Sequence, residues 1–274
     1  MDYVKKIITE ITKIRKYDNY TVFSNIVELI TLINQKATYT ILCQDSKIKD
    51  LDKKCSDLLA KYTSEQRNII YTIYQLFLDD IMLNYDNNIY SDTLGKVFEQ
   101  LGLTNKHRQQ FFTPESVSKF MALINFDKVN SETVNEKPFY TVCDPCVGSG
   151  RLLLKSAEVL REKNVDVSSK VLFVARDIDR LMAMLTYIQL SHYACPAVIE
   201  FGDSLLNTVY ESWITPVCAL QWYKFYTFFN STVSYNKDGE RLSSLSKKVE
   251  NKNNMPKSNT VKINQSDIVQ TLLF

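Results

Sequence analysis

The 274-residue sequence is poor in the residues that mark disulfide-built or metal-built proteins, with two histidines, two tryptophans and six cysteines. The cysteines at 43, 55, 143, 146, 195 and 218 are too sparse for the framework of a small secreted domain. Cys143 and Cys146 have a metal-like separation, but no second pair follows. His107 and His192 lie far apart, so no structural zinc site is expected. No apolar run is long enough to span a bilayer, and the first residues lack the apolar core of a signal peptide, so a reducing cytoplasmic location is expected. An excess of one charge is also missing. The 33 Lys and Arg against 31 Asp and Glu leave +2, which does not by itself mark a nucleic-acid binder. There is no internal repeat.

What the chain does contain begins with helical spacing. Val4, Ile7, Ile8, Ile11 and Ile14 make one apolar stripe; Val22, Ile26, Leu29, Ile30 and Ile33 make a second; Ile70, Ile73, Phe77 and Ile81 make a third. These predict an N-terminal helical domain over 1–84. The polar run Asn84 to Asn88 reads as a connector, and Val129 to Lys137 as a surface segment. Lys5, Lys6, Lys13, Arg15 and Lys16, and separately Lys106, His107 and Arg108, are candidate phosphate contacts, with a solvated surface as the plainer role.

An α/β pattern then occupies 85–229. Phe139 to Cys143 is β-prone, and Leu152, Leu153, Leu154, Ala157 and Leu160 follow at helix spacing. Between them lies Asp144-Pro145-Cys146-Val147-Gly148-Ser149-Gly150. Pro145 fixes the backbone, Gly148 and Gly150 remove Cβ atoms where a ligand would approach, and the amides entering the helix face that ligand. A second strand, Val171 to Ala175, is followed by Asp177 and Asp179. Leu181, Met184, Leu185 and Ile188 form the next helix, and Ala197 to Phe201 forms a third strand ending at Gly202-Asp203. Acids at successive strand ends suit a nucleotide-type ligand in one crevice. A Gly-rich turn alone is also compatible with an ordinary strand-to-helix connection.

With these residues in view, the chain resembles the N6-adenine DNA methyltransferases, in particular the modification subunits of type I restriction-modification systems. Gln110-Phe111-Phe112-Thr113-Pro114 is similar to the family's Gln-Phe-aromatic-Thr-Pro segment, and Asp144 to Gly150 to its Asp-Pro-Ala-Cys-Gly-Ser/Thr-Gly loop. Asp92-Thr93-Leu94-Gly95-Lys96-Val97-Phe98-Glu99 is similar to its Asp-x-Leu-Gly-x-x-aromatic-Glu stretch, and Gly202-Asp203-Ser204-Leu205 to its third-strand signature. The resemblance runs roughly from Asp80 to Pro216. It implies a Rossmann-like fold that binds S-adenosyl-L-methionine. Phe112 and Thr113 would close over the cofactor, Asp144, Pro145, Gly148 and Gly150 would hold its methionine end, Asp177 its ribose, and Asp203 would lie near its adenine amino group. It also implies DNA as a partner, together with a specificity subunit or a second methyltransferase-like subunit.

The sequence departs from that family after Asp203. Family members carry an Asn- or Asp-Pro-Pro-aromatic segment at the fourth strand end, which accepts hydrogen bonds from the target amine and stacks on the flipped base. No Pro-Pro pair occurs here, and Thr215-Pro216-Val217-Cys218 is the one nearby proline turn. No catalytic residue is therefore assigned. Trp213, Trp222, Tyr223 and Phe225 are either a substitute stacking surface or core and interface packing. From Asn230 to Phe274 the chain turns polar and basic, as expected of an exposed tail. Gln270-Thr271-Leu272-Leu273-Phe274 resembles a bacterial sliding-clamp-binding peptide but departs at its second position; terminal packing on the domain is the favoured alternative. Two function classes remain open: an adenine-N6 DNA methyltransferase, and an inactive methyltransferase-like scaffold that binds DNA or a partner.

Overall fold

The structure is a computed structural model that describes residues 2–103, 112–135, 138–221 and 224–225. The three predicted stripes become helices α1 (Tyr3–Lys13), α2 (Asn19–Ile41) and α4 (Ser64–Asp86), and α3 (Asp45–Leu59) lies between the last two. The starts of α1, α2 and α4 are fixed by side chains that satisfy otherwise unpaired first-turn amides. Asp2 accepts from Lys5 N, Asp18 accepts from Thr21 N, and Thr63 with Gln66 forms a reciprocal capping box. Ile7, Ile11, Ile26, Ile30, Ile70, Ile73, Phe77 and Ile81 are buried, as their spacing requires.

Next come α5 (Thr93–Gln100), α6 (Glu115–Asn125) and the short α7 (Ser131–Asn135). One connector expectation is corrected. Helix α4 runs on to Asp86 and stops at Asn87, while Asn88 takes a left-handed φ of 57°. In the surface segment expected from Val129, residues 129–133 are exposed or half-buried, and Val134 of α7 turns inward.

The α/β part continues with β1 (Tyr140–Asp144), α8 (Arg151–Glu162), α9 (Val167–Lys170), β2 (Val171–Asp177), α10 (Arg180–His192), β3 (Ala197–Asp203), β4 (Thr208–Ile214) and α11 (Pro216–Leu220). Among the described residues the strands form one four-stranded sheet in the order β1-β2-β3-β4. The first three are parallel, which brings their C-terminal ends to one side, whereas β4 returns antiparallel along β3. Among the described residues β1 pairs with β2 alone and is an edge strand. Helix α10 contacts α2, β2 and β3, and every residue from Leu181 to His192 is buried. One continuous core joins Ile7, Ile26 and Phe77 to Leu154, Phe173 and Ile188. A smaller cluster of Leu172, Val198, Ile214, Cys218, Ala219 and Phe225 packs separately. The result is a mixed α/β fold with a central sheet and flanking helices, consistent with a Rossmann-like methyltransferase core and helical extensions. No described helix is long and apolar enough to cross a membrane.

Candidate cofactor site

Parallel strands ending together put Asp144, Asp177 and Asp203 at neighbouring C-terminal ends, where open α/β sheets form their ligand crevice. The turn after β1 is tied to both other strand ends. Val147 N donates to the Arg176 carbonyl at 3.0 Å, Gly148 N donates to Asp177 Oδ2 at 2.8 Å, and Ser204 Oγ donates to the Pro145 carbonyl at 2.5 Å. Within the turn, Cys146 N donates to Asp144 Oδ1 at 3.1 Å. Burial raises the pKa of Asp144 above the ordinary carboxylate value, with the Cys146 amide acting in the opposite sense. Burial likewise raises Asp177, against the lowering by the Asp179 and Gly148 amides it accepts from. Asp203 Oδ1 accepts from Leu205 N and Leu206 N, so this acid shapes the turn that leaves β3.

Gly150 has φ 91°, and a Cβ there would lie 2.9 Å from Thr186 Oγ1 and 3.3 Å from Thr186 Cα. Its bareness lets α8 start close against α10, a packing requirement that the sequence does not separate from ligand approach. Gly150 also supplies no capping side chain, leaving the first turn of α8 without one. Over the turn lies the half-buried ring of Phe112, which is 3.5 Å from the place a Cβ on Gly148 would take. Thr113 is exposed, and its carbonyl accepts from Arg151 Nη1 at 3.0 Å. Ile178, Leu205 and Leu206 stand on the rim, strongly exposed.

Beneath the turn sits a buried polar floor. Asp92 is fully buried: Oδ2 accepts from Ser149 Oγ at 2.6 Å and Arg151 Nε at 2.8 Å, while Oδ1 accepts from Gly95 N and Gln189 Nε2, each at 2.9 Å. A carboxylate removed from water requires this degree of pairing. Gly95 is part of the same device, since a Cβ on it would fall 2.2 Å from Asp92 Oδ2. Gln189 also donates to the Ser149 carbonyl at 2.8 Å and accepts from Leu94 N at 3.1 Å. The site is thus anchored by Asp92 and Ser149, which lie in segments the sequence matched to the family without giving them a role, and by Arg151 and Gln189, which sequence reasoning had not singled out. The available signal was polarity at positions where a helix or motif core is otherwise apolar, as with Gln189 inside α10.

The remaining candidates are distributed differently. Trp213 is buried against Tyr187 and beside Arg180, whereas Phe225 packs edge-on against Phe139 in the other core cluster, so these two rings do not share a stacking surface. Thr215 and Pro216 begin α11. Thr215 Oγ1 donates to the Cys195 carbonyl at 2.8 Å and accepts from Ala197 N at 2.9 Å, which makes this turn a structural joint. A small cleft of about 280 Å³, counting space open to solvent, is lined by Gln35, Thr38, Tyr187 and Trp213 and lies away from the strand-end acids. Among the described residues no group of three or more His, Cys, Asp or Glu side chains is placed to hold a metal ion. Lys106, His107, Arg108, Gln110, Phe111, Trp222, Tyr223 and the tail with Gln270 to Phe274 lie outside the described residues.

Residues 89–214, from just before α5 to the end of β4, match the family described as N-6 DNA Methylase. The Type I restriction enzyme MjaVIII methylase subunit of Methanocaldococcus jannaschii is 24% identical over 176 residues, covering 62% of this chain and 28% of that protein. The chain therefore spans little more than a quarter of the length of this curated relative. No solved structure matches it. The segment that holds Asp92, Phe112, Asp144, Asp177 and Asp203 is thus similar, at the family level, to the N-6 DNA methylases.

Proposed function

We propose that the strand-end crevice binds S-adenosyl-L-methionine and that the protein serves adenine-N6 methylation of DNA. The observation that carries this reading is the Gly148 amide held on the Asp177 carboxylate at 2.8 Å, because it joins the turn after β1 to the acid after β2 as one preformed surface. The chemistry of the surface fits the cofactor in three places. The start of α8, whose first-turn amides have no side-chain cap, suits an anionic carboxylate. Asp177 keeps acceptor capacity for ribose hydroxyls beyond its two amide bonds. Ile178, Leu205 and Leu206 offer apolar surface for a purine face.

When bound, the cofactor supplies an electrophilic methyl group. This chain's contribution is to bind and orient: Phe112 covers the turn, Asp177 fixes the sugar, and the buried floor keeps the turn from shifting. An exocyclic adenine amine is a weak nucleophile, and accepting its hydrogen bonds is the step that calls for an acceptor at the target. Thr215-Pro216 is engaged in the fold, so we assign that acceptor to a second subunit. DNA and such a subunit are the partners this reading requires.

A scaffold reading, in which cofactor is held but no methyl is transferred, is favoured by the reversal of β4 along β3. Two measurements separate the readings. Calorimetry with S-adenosylhomocysteine should give binding that Asp177→Ala weakens by about ten-fold or more, the scale of lost hydrogen bonds to a charged group; unchanged affinity rejects the ribose assignment. Labelled-methyl transfer to unmethylated DNA should appear when candidate partner subunits are added. Binding without transfer under every partner combination selects the scaffold.

A further inference from the structure

Helix α8 carries a charged stripe at helical spacing, Arg151, Lys155 and Glu158, on a helix whose intervening positions are Leu, Ser and Ala. All three side chains are buried. Each reaches a segment distant in sequence. The Arg151 guanidinium holds Asp92 through Nε at 2.8 Å, Glu99 through Nη2 at 2.8 Å and the Thr113 carbonyl through Nη1 at 3.0 Å, and it lies 5.4 Å from the centre of the Phe112 ring. One turn on, Lys155 Nζ pairs with Glu115 at 3.0 Å and Glu158 at 2.7 Å. Glu115 also takes Lys96 at 3.0 Å, and Glu158 takes Lys119 at 2.8 Å and the Tyr90 amide at 2.9 Å. The run Phe112 to Glu115 is therefore fastened at two points to the helix that begins at the Gly148 turn.

Burying two cations in one helix face is costly unless their geometry is used. Neither contact is needed to cap or extend α8, whose backbone bonding starts at Leu154 N to the Gly150 carbonyl. What the cations do is fix the run that lays the Phe112 ring over Gly148. A planar fork that reaches a carboxylate, a carbonyl and a ring face together is a task for arginine, and lysine in its place keeps the charge but not the fork.

We propose that Arg151 and Lys155 are positioning residues forming a two-point latch, which holds Phe112 and Thr113 closed over the strand-end crevice before any ligand arrives and thereby sets cofactor affinity. This rests on the cofactor reading given above. The latch makes the site preorganised: the ordering cost of the segment is met on folding and is not charged again at binding.

The test combines a ligand-free and a ligand-bound measurement on the full chain. Arg151→Lys removes the fork, and Glu115→Ala cuts the outer fastening at a half-exposed position without disturbing the buried Asp92 pair. In the absence of ligand, both variants should show faster amide hydrogen exchange across residues 112–118 than the parent, while exchange in β2 and β3 stays unchanged. Affinity for S-adenosylhomocysteine should fall by about three- to ten-fold in each, the scale of ordering one side chain on binding. In a double-mutant cycle, Phe112→Ala should cost much less in the Arg151→Lys background than in the parent, because an unlatched ring no longer contributes. Unchanged exchange across 112–118, or losses of Arg151→Lys and Phe112→Ala that simply add, overturns the latch. If the parent itself binds no S-adenosylhomocysteine, the cofactor reading fails together with the affinity half of the proposal, and the exchange data alone decide whether the latch exists.

Discussion

Below the Gly148 turn, Asp92 is fully buried and accepts four hydrogen bonds, from α5, α8, α10 and the turn itself; above it, Leu205 and Leu206 stand 98% and 75% exposed, and Asp203 bonds to amides of its own turn. One crevice thus has a floor fixed by long-range polar contacts and a rim defined by local ones. The difference separates two jobs. A floor of this type holds the turn amides in one geometry and makes the geometry depend on the whole fold. A rim of this type costs the fold little and leaves its side chains free to adjust to what enters.

If the contrast is sound, substitutions should grade in effect from floor to rim. The largest effect belongs to Asp92→Ala, which leaves the Arg151 guanidinium buried with one of its two carboxylates gone. Unfolding in urea should show a loss of about 3 kcal/mol or more, typical of breaking a buried pair from one side. A loss below about 1 kcal/mol would mean that Asp92 is a solvated cap and the floor a misreading.

Acid should also reach the packed layer first. His192, at the end of α10, donates from Nδ1 to the Ile188 carbonyl at 2.8 Å and accepts at Nε2 from the Tyr74 hydroxyl at 3.1 Å. Burial lowers its pKa from 6.5 to about 4. The unfolded chain therefore takes up the proton first. The stabilisation is complete above about pH 6.5 and is lost as pH falls from there to about 4, amounting to roughly 3 kcal/mol. Urea midpoints across this range should fall steeply in the parent and less steeply in His192→Gln.

A smaller effect is expected where turn and helix meet. Gly150→Ala combines a left-handed φ of 91° with crowding against Thr186, at a cost of about 1–3 kcal/mol by thermal unfolding. Trimming the crowding partner with Thr186→Ala, scored against Thr186→Ala alone because that hydroxyl also donates to the Gly148 carbonyl at 2.9 Å, should recover part of it; no recovery in that cycle would assign the cost to backbone strain. The smallest effect belongs to the rim: Leu205→Ser should alter stability by no more than about 0.5 kcal/mol, and any larger loss would show that the rim is part of the packed structure.

The isoleucine spacing of α1 and α4 was legible because each buries one face, that of α2 because its stripe stands out although the helix is packed on several sides, and the first three strands were legible as short β-prone runs ending in acids. Helix α3 was not, since its polar sequence buries only Leu51 and Leu58. Strand β4 was hidden by polar residues in its middle: Glu211 pairs with Arg180 at 2.7 Å and breaks the apolar alternation. Its antiparallel direction depends on the chain reversal at 204–207, which no hydrophobic period encodes. At the site, the strand-end acids and the turn could be read locally. Arg151 could not, because a charged residue at a helix start ordinarily faces water, and its burial depends on Asp92 and Glu99, 59 and 52 positions earlier.

The longest-range side-chain hydrogen bonds among the described residues bear on assembly. Thr38 on α2 donates to the Ile214 carbonyl at the end of β4, 176 positions later, and Arg180 reaches back 152 positions to Glu28. During synthesis α2 is made early, yet its partners on α10 and β4 emerge after most of the sheet. An apolar helix face kept waiting in this way is exposed to wrong partners. Helix α11, which follows β4 and also packs on α2, is the last described element to reach it, so the first long helix has its full set of neighbours only after the last described helix is made.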